Sequence, residues 1–287
     1  MKFCFFGYDY TLDSLSALID AGHEALQVFT FKVDGFYARN AEMKQYCEQQ
    51  NIPLTTEKIT PQDIERLTDQ GCELFISNGY PYKIPPIEES KAFGINVHPT
   101  YLPRARGVMP QPYVIMHDHE AAGFTIHKLT QEYDAGDILF QRQVQIDKTT
   151  DIETLSSMLS IHTPGAVVDV VNNIETYWRD AKPQDPSLAS YYDEPDREMR
   201  TLSWDDEFET LLLKSRAFGR YGVYAHITNK FGDTQTLAVF QFSGWQEAHD
   251  YQPGTLIKSM PREIIVAVKD GFLCLKDFMP IDNATKS

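Results

Sequence analysis

Cysteine is scarce in the 287-residue sequence, and its few copies are scattered. The four cysteines are Cys4, Cys47, Cys72 and Cys274, and no two of them stand at the short spacing that a zinc site needs. This spacing excludes a zinc-cysteine centre. Cys4 and Cys274 lie in apolar, strand-like runs, which predicts buried thiols in a reducing, cytoplasmic compartment.

Long apolar runs and nucleotide-binding glycine motifs are also missing. No segment approaches the roughly 20 apolar residues of a membrane span, and the opening KFCFFG lacks the features of an export signal. We therefore expect a soluble protein that is not exported and has no membrane partner. The segment FFGYDYTLDSL contains Gly7 without the further glycines of a dinucleotide fingerprint, which argues against NAD. Walker and Gly-x-Ser-x-Gly sequences are absent as well.

Basic residues are outnumbered by acidic ones. The chain has 26 Lys and Arg against 41 Asp and Glu, which gives a net charge of −15. An extended grip on a phosphate backbone needs clustered Lys and Arg, so the composition argues against nucleic acid without excluding a local basic patch. The apolar fraction of 42% is typical of a globular protein, and the length suits one large or two ordinary domains.

Strand-like and helix-like segments alternate through the first half of the chain. MKFCFFG, ALQVFTF, CELFISNGY and GINVH are predicted strands, and Leu12, Leu15 and Leu18 recur at helical spacing between the first two. Such alternation predicts a mostly parallel α/β sheet. His98 would end its strand at the carboxyl edge of that sheet, where ligands bind.

The second half changes character. DIETLSSMLSIHTPGAVVDVVNNIETYW is predicted to be helical with an interruption at Pro164 and Gly165. The segment that follows it has no periodicity, and from about Thr201 a helix precedes short alternating runs, typical of a small barrel or antiparallel sheet. We predict an α/β catalytic domain over 1–180, a linker over 181–200 and a smaller β-rich domain over 201–287.

Three polar residues near the predicted sheet edge form a candidate site. Asn96 and His98 stand two apart on a strand, so their side chains share a face. Asp134 follows on a Gly-containing loop and could orient the imidazole or move a proton. No activated Ser or Cys is evident, so the set suits direct attack by a substrate nucleophile on a carbonyl, with protein donors stabilising the oxyanion. From residue types alone, catalytic and structural interpretations both stay open.

The remaining histidines favour ordinary interpretations. His117 and His119 of HDHE would not face each other on a helix, which favours a solvated turn over a metal site. His127 and His162 lie in apolar surroundings and are interpreted as core or supporting residues.

NVHPTYLPRARGVMP and EYDAGDIL resemble the two signature segments of the 10-formyltetrahydrofolate-dependent formyltransferases. That family includes methionyl-tRNA formyltransferase, glycinamide ribonucleotide formyltransferase and the sugar N-formyltransferases. The matching positions are Asn96, His98, Leu102, Pro103, Arg106, Gly107, Pro110, Asp134 and Gly136. Thr100 stands where Ser is usual, a change that keeps a hydroxyl. The likeness extends over most of the chain, including the β-rich C-terminal part.

The resemblance implies a Rossmann-like formyltransferase domain, an OB-like C-terminal domain and 10-formyltetrahydrofolate as co-substrate, with no metal. Asn96 and His98 would polarise the formyl group, and Asp134 would set the protonation of His98 and assist proton transfer. The pterin would lie between two segments, mainly against backbone groups. Those segments contain Tyr82, Lys83, Ile84, Thr130, Gln131, Glu132 and Tyr133.

The acceptor amine is the least determined part of the interpretation. Relatives that act on the initiator tRNA carry a basic, Gly-rich insertion after the second strand. Here that position is short, and Lys32, Arg39 and Lys44 are offset by Asp34 and Glu42, which argues against tRNA. We favour a nucleotide-linked amino sugar destined for surface polysaccharide.

Three residues are expected to bind this acceptor: Tyr8 or Tyr10 would stack on the base, and Arg106 would contact the substrate. Hydroxyornithine in siderophore synthesis, methionyl-tRNA, and a folate-binding or hydrolytic relative without an acceptor remain alternatives. A homodimer is one assembly compatible with the sequence.

Overall fold

The computed structural model describes residues 1–33 and 39–281, so Asp34 lies outside the described residues. The chain divides into two compact units. The first comprises Met1–Pro110, Glu120–Gln145 and Ser156–Asp193. The second comprises Gln111–His119, Ile146–Leu155 and, of the described residues, 194–281.

Helices and strands alternate in the first unit, whereas strands dominate the end of the chain. The strands are β1 (Lys2–Phe6), β2 (Glu24–Phe29), β3 (Leu54–Thr55), β4 (Leu74–Asn78), β5 (Phe93–His98), β6 (Gly123–Lys128), β7 (Ile138–Gln143), β8 (Val223–Thr228), β9 (Thr234–Gln246), β10 (Leu256–Met260), β11 (Glu263–Val268) and β12 (Gly271–Ile281). The α-helices are α1 (Leu12–Asp20), α2 (Ala41–Gln49), α3 (Pro61–Asp69), α4 (Gln111–Met116), α5 (Ile152–Asn172), α6 (Ile174–Arg179) and α7 (Phe208–Phe218).

The first unit is built on a seven-stranded sheet with the order β3-β2-β1-β4-β5-β6-β7. The first five strands in this order, from β3 to β5, pair parallel with one another, whereas β6 pairs antiparallel with both β5 and β7. From β1 to β3 each strand is added on one side of β1, and from β4 onward each strand is added on the other side. The direction of the chain across the sheet therefore reverses between β1 and β4. The carboxyl edge beside β1 and β4 is therefore the crevice where ligands bind in such sheets. The predicted mostly parallel, Rossmann-like sheet is confirmed.

Aromatic side chains fill one side of this sheet. The Phe6 and Phe29 ring centroids are 5.1 Å apart, and both rings belong to a buried cluster with Phe75. Ile64 and Leu67 of α3 complete the cluster. The helix starts at a capping box in which the Thr60 side chain accepts from the Asp63 N–H and the Asp63 carboxylate accepts in return.

The helix α5 corrects one expectation. The predicted interruption at Pro164 and Gly165 is wrong, because the helix continues through both residues from Ile152 to Asn172. Proline in a helix interior removes one hydrogen bond and costs about 3 kcal/mol. Burial of apolar side chains such as Leu159 and Val167 opposes that cost.

The second unit contains a five-stranded antiparallel sheet with the order β10-β11-β12-β9-β8. Buried side chains are concentrated in short continuous runs along β9, β11 and β12, and they include Leu237, Val239, Leu273 and Leu275. The expectation of a β-rich C-terminal part is confirmed. Within the residues that the structure describes, no helix is both long and apolar enough to cross a membrane.

The segment after α6 is held against the first unit. Lys182 and Ile138 exchange backbone hydrogen bonds of 2.8 and 3.0 Å, and the Arg106 N–H donates to the Ser190 carbonyl at 2.9 Å. The first half of the predicted linker therefore belongs to the first unit. The domain limits 1–180 and 201–287 stay a prediction.

Two glycines give a matched test of this packing. Gly165 is exposed in α5 and a Cβ there would meet nothing within 4 Å, so Gly165→Ala should raise the free energy of unfolding by about 0.5–1 kcal/mol. A Cβ at Gly123 would overlap the Arg142 carbonyl on β7, so Gly123→Ala should lower the free energy of unfolding. Thermal unfolding followed by circular dichroism measures both shifts. Equal effects in the two variants would contradict the packing described here.

Candidate active site

Strand pairing brings the three predicted residues together at the sheet edge. Asn96 and His98 lie on β5, which ends at His98, and β6 places His127 directly opposite Asn96. Asp134 lies on the loop between β6 and β7 with φ near 53°, in the left-handed region. Asp accepts this backbone conformation better than most residues do.

The Asp134 carboxylate is the centre of the site. Its Oδ2 accepts from the backbone N–H of Gly107 at 2.9 Å. Its Oδ1 accepts from Asn96 Nδ2 at 3.3 Å and faces His98 Nδ1 at 3.4 Å. Only 10% of the Asp134 side chain is exposed, so these donors replace solvent around the charge.

Backbone carbonyls determine which ring nitrogens carry protons. A carbonyl only accepts, so His98 Nε2, 2.9 Å from the Ala105 carbonyl, is the protonated nitrogen. The exchangeable position of His98 is therefore Nδ1, which faces Asp134. His127 Nδ1 donates to the Lys128 carbonyl at 2.9 Å, which leaves Nε2 to accept from Asn96 at 3.1 Å. His127 thus orients the Asn96 amide.

Burial and charge act in opposite directions on the central pair. Burial lowers the pKa of the His98 imidazole below its ordinary value, against the attraction of Asp134. Burial raises the pKa of the Asp134 carboxyl, but His98, His127 and the Gly107 N–H together outweigh it and hold that pKa below its usual range. Asp134 is therefore ionised at neutral pH beside an imidazole that is easily deprotonated.

The glycines of the two matching segments are needed for close backbone approaches. A Cβ at Gly136 would overlap the Lys128 carbonyl, and a Cβ at Gly107 would overlap the Tyr192 carbonyl. Gly107 also has φ near 117°, a conformation that other residues rarely adopt. Both contacts close their loops onto the site.

The two predicted folate segments approach each other. Lys83 Nζ lies 5.6 Å from the centroid of the Tyr133 ring. Tyr82 packs edge-on against Tyr80, while Ile84 is buried in the aromatic core cluster and has only its backbone to offer. Thr130, Gln131 and Glu132 form an exposed turn in which the Thr130 hydroxyl donates to the Glu132 carbonyl. Folate binding by these residues stays a prediction.

The predicted acceptor residues fall in two places. Tyr8 and Tyr10 follow β1, with ring centroids 6.3 Å apart, and Tyr8 packs close to Gly79, which follows β4. Both therefore lie at the same sheet edge as His98. The Arg106 guanidinium is instead engaged by the Gln184 side chain, at 2.7 and 3.2 Å.

Three residues near the site were not predicted from the sequence to belong to it. His127 was interpreted as a core or supporting residue, and its register opposite Asn96 is the signal that could have identified it. Gln184 and Tyr191 come from the aperiodic segment taken as linker. The Asp134 charge helps burial to raise the pKa of the half-exposed Tyr191 hydroxyl.

A metal ion is usually held by three or more His, Cys, Asp or Glu side chains that come close together. Within the described ranges there is no such group. His117 and His119 are exposed, in agreement with a solvated turn.

Comparisons with known proteins bear on this geometry. The family model described as formyl transferase matches residues 15–171, more than half of the chain, including Asn96, His98 and Asp134. The chain belongs to the formyl transferase family. A second family model, described as the C-terminal domain of formyl transferase, matches residues 196–285.

The proteins that are similar to this chain carry several different names. A methionyl-tRNA formyltransferase of Streptococcus sanguinis is 26% identical and covers 98% of this formyl transferase chain and 91% of its own. HypX from Aquifex aeolicus, solved with tetrahydrofolic acid, superposes with a TM-score of 0.70 at 18% identity over 98% of this chain and 44% of its own. This chain thus spans under half the length of HypX.

An N-formyltransferase from Helicobacter canadensis, solved with folinic acid and dTDP-3-aminofucose, gives a TM-score of 0.65 at 15% identity. The alignment covers 97% of this chain and 99% of that one. At such identities the structural likeness shows that the formyl transferase fold is shared.

The charge of Asp134 should control the titration of His98. Because that charge raises the pKa of His98 against the effect of burial, Asp134→Asn should move the His98 titration midpoint to lower pH. The His98 ring protons can be followed by NMR, assigned with His98→Ala. The control is Asp137→Asn. It removes an exposed carboxylate on the same loop as Asp134, paired with Lys128, and it should leave the His98 midpoint unchanged. A midpoint that stays or rises in Asp134→Asn would contradict the described pair.

Proposed function

We propose that this chain transfers the formyl group of 10-formyltetrahydrofolate to the primary amine of a nucleotide-linked amino sugar. The observation that carries the formyl-transfer part is the buried Asp134 carboxylate facing Asn96 and His98 at the carboxyl edge of the sheet. An amide donor can stabilise the oxyanion of acyl transfer to an amine, and an imidazole with an ionised carboxylate can move the proton.

Each group has one step in the proposed reaction. The amine nitrogen attacks the formyl carbon, and the carbonyl electron pair moves onto oxygen. The Asn96 amide has two hydrogens. One points to Asp134 over a long distance of 3.3 Å and is the one that donates to the oxyanion, while the other remains hydrogen-bonded to His127. Nδ1 of His98, assisted by the Asp134 carboxylate, takes the amine proton and delivers it to the folate nitrogen. The oxyanion electron pair then re-forms the carbonyl, the bond from the formyl carbon to the folate nitrogen breaks, and tetrahydrofolate leaves.

The proposed folate position rests on the same sheet edge. Lys83 and Tyr133 come from the two predicted segments and approach within cation–π range. Tyr133 is 51% exposed directly before Asp134 in the chain, so a pterin beside it would bring a formyl group toward the carboxylate. The folate compounds named in the HypX and Helicobacter canadensis structures support this co-substrate.

Charge favours a small acceptor over an RNA. Lys32, in the loop where tRNA-acting relatives are basic, is neutralised by Glu57 at 3.4 Å. In the second unit Lys269 pairs with Glu207 at 3.2 Å, and Lys214 lies 3.7 Å from Asp206. Binding several phosphates of a tRNA stem needs several uncommitted cations on one surface. A nucleotide sugar presents two phosphates, one base and one amine.

Methionyl-tRNA is the second candidate acceptor. The Streptococcus sanguinis relative that bears this name aligns over nearly the whole chain, including the second unit. Its identity of 26% leaves room for a change of acceptor, and the acidic balance of this chain is the feature that speaks against RNA.

Removing the central groups should abolish most of the turnover. Asn96→Ala, His98→Ala and Asp134→Ala should each lower kcat by about a hundredfold or more, as expected for an oxyanion donor or proton-transfer group. Formyl transfer from 10-formyltetrahydrofolate is measured by mass spectrometry of the formylated amine. The exposed His117→Ala serves as the matched control and should keep full activity.

A thermal shift with the folate shows whether each variant still binds its co-substrate, because a ligand of the folded state raises the melting temperature. Near-normal turnover by His98→Ala would refute the assignment of the site.

The acceptor can be decided with one enzyme stock and two substrates. Formylation of a nucleotide-linked amino sugar should be far faster than formylation of methionyl-tRNA, because an acidic surface slows the approach of a polyanion. Raising the salt concentration should relieve that repulsion and therefore not reduce the slow tRNA reaction. Efficient tRNA formylation that falls steeply with salt would instead identify RNA as the acceptor.

A further inference from the structure

One side-chain amide in the segment 182–192 contacts both loops of the site. Gln184 Nε2 donates to the backbone carbonyls of Asp134 and Gly136, each at 2.8 Å. Its Oε1 accepts from Arg106 Nε at 3.2 Å and from Arg106 Nη2 at 2.7 Å. An amide has two N–H donors and one oxygen with two lone pairs, so every hydrogen-bonding position of Gln184 is used.

The orientation of this amide follows from its partners. Turning it over would aim the NH₂ group at the Arg106 guanidinium, which only donates, and the oxygen at two carbonyls, which only accept. The backbone two residues earlier is also fixed, because Lys182 pairs with Ile138 at the start of β7. Gln184 is therefore held in one place from both ends.

These bonds close a ring around the catalytic carboxylate. From Gln184 the ring runs to the Asp134 backbone, through the Asp134 carboxylate to the Gly107 N–H, and back through Arg106. Asp134 has a left-handed φ of 53°, a conformation that persists only where neighbouring contacts hold it. The Gln184 bonds are a second link between the two loops, beside the bond from the Gly107 N–H to Asp134.

We propose that Gln184 is a positioning residue that holds the Asp134 loop against the Arg106–Gly107 loop, and so keeps the Gly107 N–H on Asp134. Gln184 does not touch the reacting atoms. Its loss lets the Asp134 turn relax, which moves the carboxylate away from the Gly107 N–H and from His98. The consequence for turnover rests on the proposed formyl transfer, whereas the consequence for the geometry does not.

Two variants separate the contacts of Gln184. Gln184→Ala removes all four hydrogen bonds. Gln184→Glu keeps the size and the Arg106 partner but has no N–H to offer the carbonyls of Asp134 and Gly136. The control is Gln143→Ala, an exposed glutamine on β7 whose Nε2 makes one bond, to the Glu120 carbonyl at 2.9 Å.

The first measurement is independent of activity and is made by NMR on the full chain. In both Gln184 variants the Gly107 amide proton should move upfield as it loses its carboxylate partner. In Gln184→Ala the His98 midpoint should also shift toward that of Asp134→Asn, whereas Gln184→Glu introduces a charge of its own and is judged on the Gly107 shift alone. Gln143→Ala should match the parent in both the Gly107 shift and the His98 midpoint. If either Gln184 variant that folds keeps the parental Gly107 shift, the proposal is overturned.

The second measurement is steady-state kinetics. Both variants should lose about tenfold to a hundredfold in kcat, the size expected when a reacting group is displaced by about 1 Å, with KM changed much less. A rise in KM at constant kcat would mean that Gln184 binds substrate, and would overturn the positioning role. If the parent enzyme shows no formyl transfer, the proposed function fails while the NMR result still decides the role of Gln184.

Discussion

The left-handed turn at Asp134 is the constraint on which the rest of the site depends. It turns a carboxylate back toward the end of β5, where Asn96 and His98 are already placed by the strand. Such a conformation costs an L-residue about 1 kcal/mol or more, so the surroundings must impose it. The close approach of Gly136 to β6 and the N–H of Gly107 both do so. The loop glycines are therefore part of the site, although they carry no reactive group.

Burying an ionised carboxylate is costly unless donors replace its water. Here each donor is itself held by a further contact: His127 orients Asn96, and the Ala105 carbonyl fixes the ring of His98. Few groups then need to reorganise when charge develops during a reaction, which is the condition for effective electrostatic stabilisation. The arrangement is also sensitive, because a shift in any one of these partners changes the field at the carboxylate.

Local pattern and tertiary packing disagreed at α5, and packing prevailed. Pro164 and Gly165 are ordinary helix-breaking signals, and they predicted an interruption that the helix does not have. The burial of residues such as Val167 and Val170 along the helix offsets a penalty of a few kcal/mol, which no local window can register. Part of the aperiodic segment before Thr201 is likewise held by hydrogen bonds within the first unit, although its sequence has no periodic pattern.

The sequence by itself determined the fold class, the family and the face shared by Asn96 and His98, because strand periodicity and the spacing of short motifs are local properties. It also supplied Asp134 as the partner of that pair through a motif. Only the tertiary structure decided which residues support them. His127 acts through its register across β6, and Gln184 reaches the site from about fifty residues beyond Asp134. Such contacts depend on strand pairing and on the return of a distant segment, and neither leaves a periodic trace in the chain.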